Sequence, residues 1–246
     1  MSTDGFEWKS NPEHHEAQER MAHLDAYYAW ALDMFGPSLQ GPAVDAGAGI
    51  GHFSEILSRA VSPLLLLEGG QENLDVLRRR FAGRAGITVQ EIDLNDCRST
   101  ISAFGARSIF TLDVLEHLPD DVAVLSQFRA ALPAGGKVYI KVPALSWLYG
   151  PIDKASGHFR RYSRASLRRA VEDAGLRVLT CRYMNLAGVP PYFLKSRILK
   201  RGENFSRTFS IEQIQRIKRA IPYLRLLDRL TGPPLGLSVI CVAQRD

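Results

Sequence analysis

The segment Ala43-Val44-Asp45-Ala46-Gly47-Ala48-Gly49-Ile50-Gly51 places three alternating glycines behind a short apolar run that ends in an acid. Glycines at a strand-to-helix turn let the backbone bend tightly and lie against a nucleotide-like ligand, where a Cβ would obstruct it. Glu68 closes a run of four leucines 17 residues after Gly51. An acid at that point can accept hydrogen bonds from both hydroxyls of a ribose. Together these residues imply a ribose-bearing cofactor.

Two cofactor classes meet that description. A dinucleotide sets its pyrophosphate at the helix N-terminus, whose positive dipole end favours an anion. Asp45 sits beside that position and would repel it. The same carboxylate suits a sulfonium and an α-amino group, as in S-adenosylmethionine. The spacing Gly47-x-Gly49-x-Gly51 also departs from the GxGxxG of dinucleotide sites.

Further chemistry-bearing residues follow along the chain. Asp93, in Glu91-Ile92-Asp93-Leu94, is a second candidate cofactor acid and equally a turn cap with Asn95 and Asp96. His117, in Leu112-Asp113-Val114-Leu115-Glu116-His117-Leu118, falls just past an apolar run, at the sheet edge where ligands of open α/β folds bind. The stretch from Pro143 to Ser163 carries Trp147, Tyr149, His158, Arg160, Arg161 and Tyr162. A long loop of that composition at the same edge is expected to wall a substrate pocket. If the substrate is a hydroxyl, His158, His117 or Tyr162 are the candidate bases.

In order and form, these motifs resemble the class I methyltransferases, in the small-molecule branch. The first glycine motif matches D-x-G-x-G-x-G, and the LEHL core of Leu115 to Leu118 matches the family's fourth motif. The resemblance spans roughly Val44 to Val142. It implies S-adenosylmethionine as cofactor and S-adenosylhomocysteine as product. It further implies cofactor contacts from Asp45, Gly47, Gly49 and Gly51, from Glu68 with Gly69 at the ribose, from Asp93 and Leu94 at the adenine, and from Asp113, Val114 and His117.

The elements that must hold these residues follow from periodicity. Apolar positions from Ala17 to Phe35 recur at spacings of three and four, which predicts an amphipathic helix over 12–35 with Asn11 as N-cap. Beyond Pro42, short apolar runs alternate with helical patterns, as in a parallel sheet with crossover helices. Strands are expected at 43–45, 64–68, 87–92, 108–112, 137–142, 177–183 and 237–243. Helices are expected at about 52–60, after Pro119, and from Arg164 to Ala174 with Ser163 as N-cap and Gly175 as C-cap. About fifty residues, 185–236, separate the last two strands, far more than a hairpin needs. They carry an amphipathic pattern, Ile211 to Leu224, expected to break near Pro222.

The expected fold is therefore α/β, a Rossmann-like seven-stranded, mostly parallel sheet with helices on both faces and an α-helical insertion between the last two strands. One domain is expected over 1–246: an N-terminal helical lid at 1–41, a cofactor-binding core at 42–184, a helical cap at 185–236 and a last strand at 237–246. The acceptor pocket is placed between Tyr28 on the first helix, the Trp147–Tyr162 loop and the 185–236 insertion.

Composition narrows the rest. At 246 residues, 46% hydrophobic and 23% charged, the chain is of ordinary globular character. No apolar run is long enough to span a bilayer, and 1–9 does not look like a signal peptide, so a cytoplasmic protein is expected. The three cysteines are scattered and form no CxxC pair. No metal is expected, since no second acidic cluster after the fourth strand completes an oxygen site with Asp113, and the adjacent His14 and His15 do not share a helix face.

The net charge of +5 is concentrated between Tyr192 and Thr231, where ten Lys or Arg face three acids. That segment fits an anionic or membrane-associated acceptor and a peripheral membrane contact. Nucleic acid is disfavoured, because Asp113-Val114-Leu115-Glu116 stands where DNA amino-methylating enzymes usually carry D/N-P-P-Y/F. The reading is methyl transfer to an oxygen or nitrogen of a small molecule, as in a biosynthetic intermediate. The alternative is a non-catalytic scaffold of the same fold that binds polyanions or membrane through the basic segment.

Overall fold

The computed structural model describes residues 25–37, 39–198 and 211–246. The expected helix over 12–35 is present from Asp25 to Phe35 (α1); its earlier part, with Asn11, His14 and His15, lies outside the described residues. Then come β1 (Ala43–Ala46), α2 (His52–Leu57), β2 (Leu64–Glu68), α3 (Gln71–Arg80), β3 (Ile87–Glu91), α4 (Arg98–Phe104), β4 (Ser108–Leu112) and α5 (Asp121–Ala131). The chain continues through β5 (Lys137–Pro143), α6 (Pro151–Ala155), α7 (Arg164–Asp173), β6 (Arg177–Met184), α8 (Val189–Phe193), α9 (Ile211–Thr231) and β7 (Ser238–Gln244).

The seven strands form one sheet in the order β3-β2-β1-β4-β5-β7-β6, parallel except for β7, which runs antiparallel to both neighbours. Because β1 and β4 are adjacent while their crossovers diverge to opposite sides, the chain reverses direction there. Such a switch point opens a crevice at the carboxyl ends of the strands.

Alternation along the strands divides the core in two. Val44, Leu65, Leu67, Ile109, Val138 and Ile140 face a layer containing Ile101 of α4, Phe128 of α5 and Leu167 of α7. Ala43, Leu64, Leu66, Phe110, Tyr139 and Ile240 face Trp30 of α1, Phe53 of α2, Leu77 of α3 and Ile221 of α9. Both faces of the central strands are thus buried, which is why they read as continuous apolar runs.

The capping signals act as expected. Asp120 accepts from the Ala123 N–H and Ser163 from the Ser166 N–H, while Gly175 stands past the end of α7 at φ +76°. One expectation fails: α9 runs unbroken through Pro222. Pro222 and Lys218 are both on the solvent side of that helix, so the carbonyl that loses its N–H partner can be hydrated instead.

Candidate active site

The crevice at the switch point is a cavity of about 410 Å³. Its floor is the loop after β1, with Asp45, Gly47, Ala48 and Gly49. Tyr27 and Tyr28 of α1 form one wall, and Asp113, Glu116, His117, Lys141, His158 and Arg161 another. Ala187, Pro191 and Tyr192 near α8, with Ile217 and Leu224 of α9, reach it from the segment between β6 and β7.

The three glycines of the first motif have distinct reasons to be glycine. All take positive φ, +84° at Gly47, +55° at Gly49 and +85° at Gly51. A Cβ on Gly47 would stand 2.5 Å from Val114 Cγ2, and one on Gly51 2.6 Å from the Phe81 ring. Gly51 therefore serves the packing of α3 on the loop and does not line the cavity, whereas Gly47 and Gly49 do.

Asp45 is 2% exposed and accepts a hydrogen bond from Ser54 Oγ at 2.5 Å. Burial pushes its carboxyl up to about 7, with the Ser54 hydrogen bond opposing and the charge of Glu68 adding. No cation pairs with it among the described residues, and a cationic group in the cavity would supply one. Glu68 is also buried, with its two oxygens accepting from the Gly49 N–H and the Gly70 N–H, each at 2.8 Å. It holds the glycine loop in place, and each oxygen keeps a further lone pair for a ligand.

Other expected cofactor residues are set differently. Glu68, Gly69, Asp93, Leu94 and Val114 do not line the cavity. Asp93 caps its own turn, accepting from the Asn95 N–H and from Asn95 Nδ2 with the same oxygen. Leu94 and Val114 are packed into the core.

Behind the cavity-lining His158, Arg161 and Tyr192 a charged network is built around Asp153, which is fully buried on α6. It takes the Arg161 guanidinium at 2.6 Å, His158 Nδ1 at 3.0 Å, the Gly150 N–H at 3.0 Å and the Tyr192 hydroxyl at 3.2 Å. Burial works against its charge, but the hydrogen bond to His158 and the charge of Arg161 hold its carboxyl below the ordinary range. Arg161 also donates to the Ala144 carbonyl and lies over the Tyr192 ring at 4.3 Å. His158 meets His117 edge to face, with ring centroids 4.7 Å apart. Tyr149 donates its hydroxyl to the His158 carbonyl at 2.8 Å, so it steadies the loop without lining the cavity.

Tyr162 corrects the sequence reading. It is 2% exposed, and its hydroxyl donates to Asp121 Oδ2 at 2.6 Å. Burial and the Asp121 hydrogen bond hold its phenol above the ordinary value. It pins the loop to α5 and is not available as a base. Arg160 turns the same way, pairing with Asp121 at 2.8 Å and with the Pro119 carbonyl. Trp147 is 54% exposed beside Phe193, outside the cavity. The bridge between Ala144 and Tyr162 fixes this alternation, sending Arg161 toward the cavity and its two neighbours toward Asp121.

The sequence reading overlooked Lys141, Glu116 and Asp153 as site residues. A signal existed for Lys141, a lone cation inside the apolar strand Val138-Tyr139-Ile140-Lys141-Val142. It is 3% exposed and ion-paired with Asp113. Burial disfavours its charge, yet Asp113 holds its pKa above the ordinary value. Glu116 and Asp153 had no such signal, since acids in short turns are ordinary surface residues.

Residues 14–180 match a family described as a methyltransferase domain. No curated protein sequence matches. Among solved structures, a chain of the complex between the Haloferax volcanii Trm112 methyltransferase activator and a methyltransferase aligns with TM-score 0.63 at 14% identity, covering 96% of this chain and 98% of that one. Haemonchus contortus phosphoethanolamine N-methyltransferase 2, in complex with S-adenosyl-L-methionine, aligns with TM-score 0.60 at 18% identity, over 89% of this chain and 52% of that one. An S-adenosylmethionine-dependent methyltransferase from Mesorhizobium loti aligns with TM-score 0.59 at 16% identity, over 87% and 96%. At these identities the likeness is one of fold.

Proposed function

This chain belongs to the methyltransferase-domain family, and we propose that it transfers a methyl group from S-adenosylmethionine to an oxygen or nitrogen of a small molecule in the cytoplasm, releasing S-adenosylhomocysteine. The observation that carries this reading is Asp45, a buried acid beside the Gly47–Gly49 backbone, in a cavity that His117, His158 and Arg161 also line. That donor set fits a cofactor that carries both an ammonium and a sulfonium.

When bound, S-adenosylmethionine supplies an electrophilic methyl group. The chain's own residues do the positioning. Asp45 faces the cationic portion, and the backbone of Gly47 to Gly49 admits close approach. Glu68, with Gly69 beside it, and Asp93 with Leu94 stand at the ends of β2 and β3, where they would meet the ribose and adenine. In-line displacement depends mostly on close alignment and exclusion of water. Tyr27 and Tyr28 on one side and Tyr192, Ile217 and Leu224 on the other enclose the cavity for that purpose. His158 is the favoured base for a hydroxyl acceptor, because Asp153 fixes its ring and would stabilise its charge once protonated. Mass spectrometry of metabolite mixtures incubated with methyl-labelled S-adenosylmethionine tests the reading. Binding of S-adenosylhomocysteine without label transfer to any acceptor would favour a scaffold.

A second contact is favoured by the outer face of α9. Tyr223, Leu226 and Leu230 are 76%, 54% and 76% exposed, interleaved with the exposed Arg229 and with Arg225, which pairs with Asp33 of α1. No helix among the described residues is long and apolar enough to cross a membrane, but an amphipathic basic face suits peripheral binding to an anionic bilayer. Co-sedimentation with anionic and neutral vesicles at two salt concentrations tests it, and equal binding to both would oppose it.

A further inference from the structure

We propose that Glu116, His117 and His158, which line the cavity together, form a binding site for a divalent transition cation. The site does not depend on methyl transfer, although it shares that cavity and takes the His158 ring nitrogen that serves as base in the metal-free protein. Each of the three residues offers one ligand atom, and these atoms all lie within 4.8 Å of one another. Bonds of about 2.0–2.2 Å place two ligand atoms on one ion roughly 3.4–4.2 Å apart, so a small closure of side chains completes the site. Two imidazoles and a carboxylate suit zinc, iron or cobalt better than magnesium or calcium, which prefer oxygen ligands alone.

Two independent observations point to a ligand here. First, Glu116 is 1% exposed, lines the cavity, and its Oε2 has no hydrogen-bond partner among the described residues. A buried carboxylate oxygen left this way is costly unless a cation or donor reaches it. The nearby cations are engaged elsewhere, Lys141 with Asp113 and Arg161 with Asp153 and the Ala144 carbonyl. Second, His158 is held by Asp153 through Nδ1 at 3.0 Å. Asp153 is itself anchored by Arg161 and by the Gly150 N–H. A carboxylate that accepts from one ring nitrogen fixes the tautomer and leaves the other nitrogen as ligand, the usual support of a metal-bound histidine. Asp153 is thus a positioning residue for the cation. One carboxylate on a divalent ion leaves net positive charge and open coordination positions facing the cavity, where an oxygen or nitrogen of a bound acceptor can join.

The test uses the full chain stripped of metal with a chelator. Titration with cobalt(II), followed by its visible d–d absorption, should saturate at one equivalent. Glu116→Gln and His158→Gln should each weaken binding at least tenfold, and Asp153→Asn by about 10–100-fold through the loss of the histidine's support. Parallel titration with S-adenosylhomocysteine reports whether each variant retains the fold and the cofactor end of the cavity. X-ray absorption of the zinc-loaded parent protein, which needs no variant, should show a shell of nitrogen and oxygen that includes two imidazoles. Absence of stoichiometric cobalt binding, binding unchanged in both Gln variants, or a sulfur-containing shell would each overturn the proposal. Loss of cofactor binding by the parent protein would instead count against the methyl-transfer reading.

Discussion

Lys141 of β5 and Asp113, just past the end of β4, meet with Nζ 2.5 Å from Oδ2, and the lysine is almost wholly buried while the acid is 36% exposed. The backbone assists the pairing: Asp113 takes φ +55° and its N–H donates to the Lys141 carbonyl at 2.8 Å. Removing one partner should therefore cost more than removing both. Asp113→Asn, which tolerates the left-handed backbone, strands a buried cation and should lower stability by about 2–4 kcal/mol. Lys141→Met should cost about 1–3 kcal/mol, because water screens the partly exposed acid. The double variant should cost less than the sum, as read from urea denaturation of all four proteins. Strict additivity would mean that the pair is not coupled.

Asp45 predicts a pH-dependent affinity for the cofactor. Its carboxyl, pushed up to about 7 by burial, is favoured as the neutral acid in the unliganded fold, while a cationic ligand favours the carboxylate. Binding should release a proton, so affinity should rise as pH increases toward about 7 and level off above it. Stability of the unliganded protein should move the other way. Between the ordinary carboxyl value of 3.8 and about 7 the folded state binds more protons at this group than the unfolded state. This group's contribution to stability therefore falls as pH rises through that window. Calorimetry in buffers of different ionisation enthalpy checks the proton release, and Asp45→Asn should abolish it.

Glu68→Ala removes the acceptor for two backbone N–H groups as well as the proposed ribose contact. Cofactor affinity should fall by about 1.5–3 kcal/mol, the scale for hydrogen bonds to a charged group. An unchanged dissociation constant would place the ribose elsewhere.

The glycines separate into ligand and packing roles. Gly49→Val should abolish cofactor binding and, at φ +55°, cost about 1–2 kcal/mol of stability while leaving a folded protein. Gly51→Ala meets the Phe81 ring and Leu77 at a positive φ, and should cost about 2 kcal/mol or more of stability. Paired melting curves and S-adenosylhomocysteine titrations distinguish the two, and equal loss of affinity at unchanged stability in both would refute the division.

Tyr162→Phe breaks the buried bond to Asp121 and should lower stability by about 1–2 kcal/mol. Once an acceptor is known, turnover should persist in the folded variant. His158→Gln should lose turnover while still binding S-adenosylhomocysteine.

The proposed cofactor loop and the acid that holds it were legible in the residues themselves. Asp45, the glycine loop and Glu68 lie on short contiguous stretches whose apolar runs and turn residues set strand, turn and helix locally, and the alternation of such units dictated a parallel sheet. Pro222 was misjudged because its cost depends on which face of α9 meets water, a matter of packing. At the proposed acceptor side the sequence named Tyr28, His158 and Arg161, which do line the cavity, but which charges meet there was decided by tertiary structure. Glu116, Lys141 and the stretch that carries both Asp153 and His158 come from separate segments, and only the pairing of β4 with β5 and the docking of α6 beside them bring their charges together. Arg161 and Tyr162 are neighbours of similar promise in the sequence, yet the bridge from Ala144 to Tyr162 turns one toward Asp153 and the other toward Asp121. Local patterns specify the direction of the chain over a few residues. The partner that each polar side chain finds is set by long-range register and by the cost of burying a charge without one.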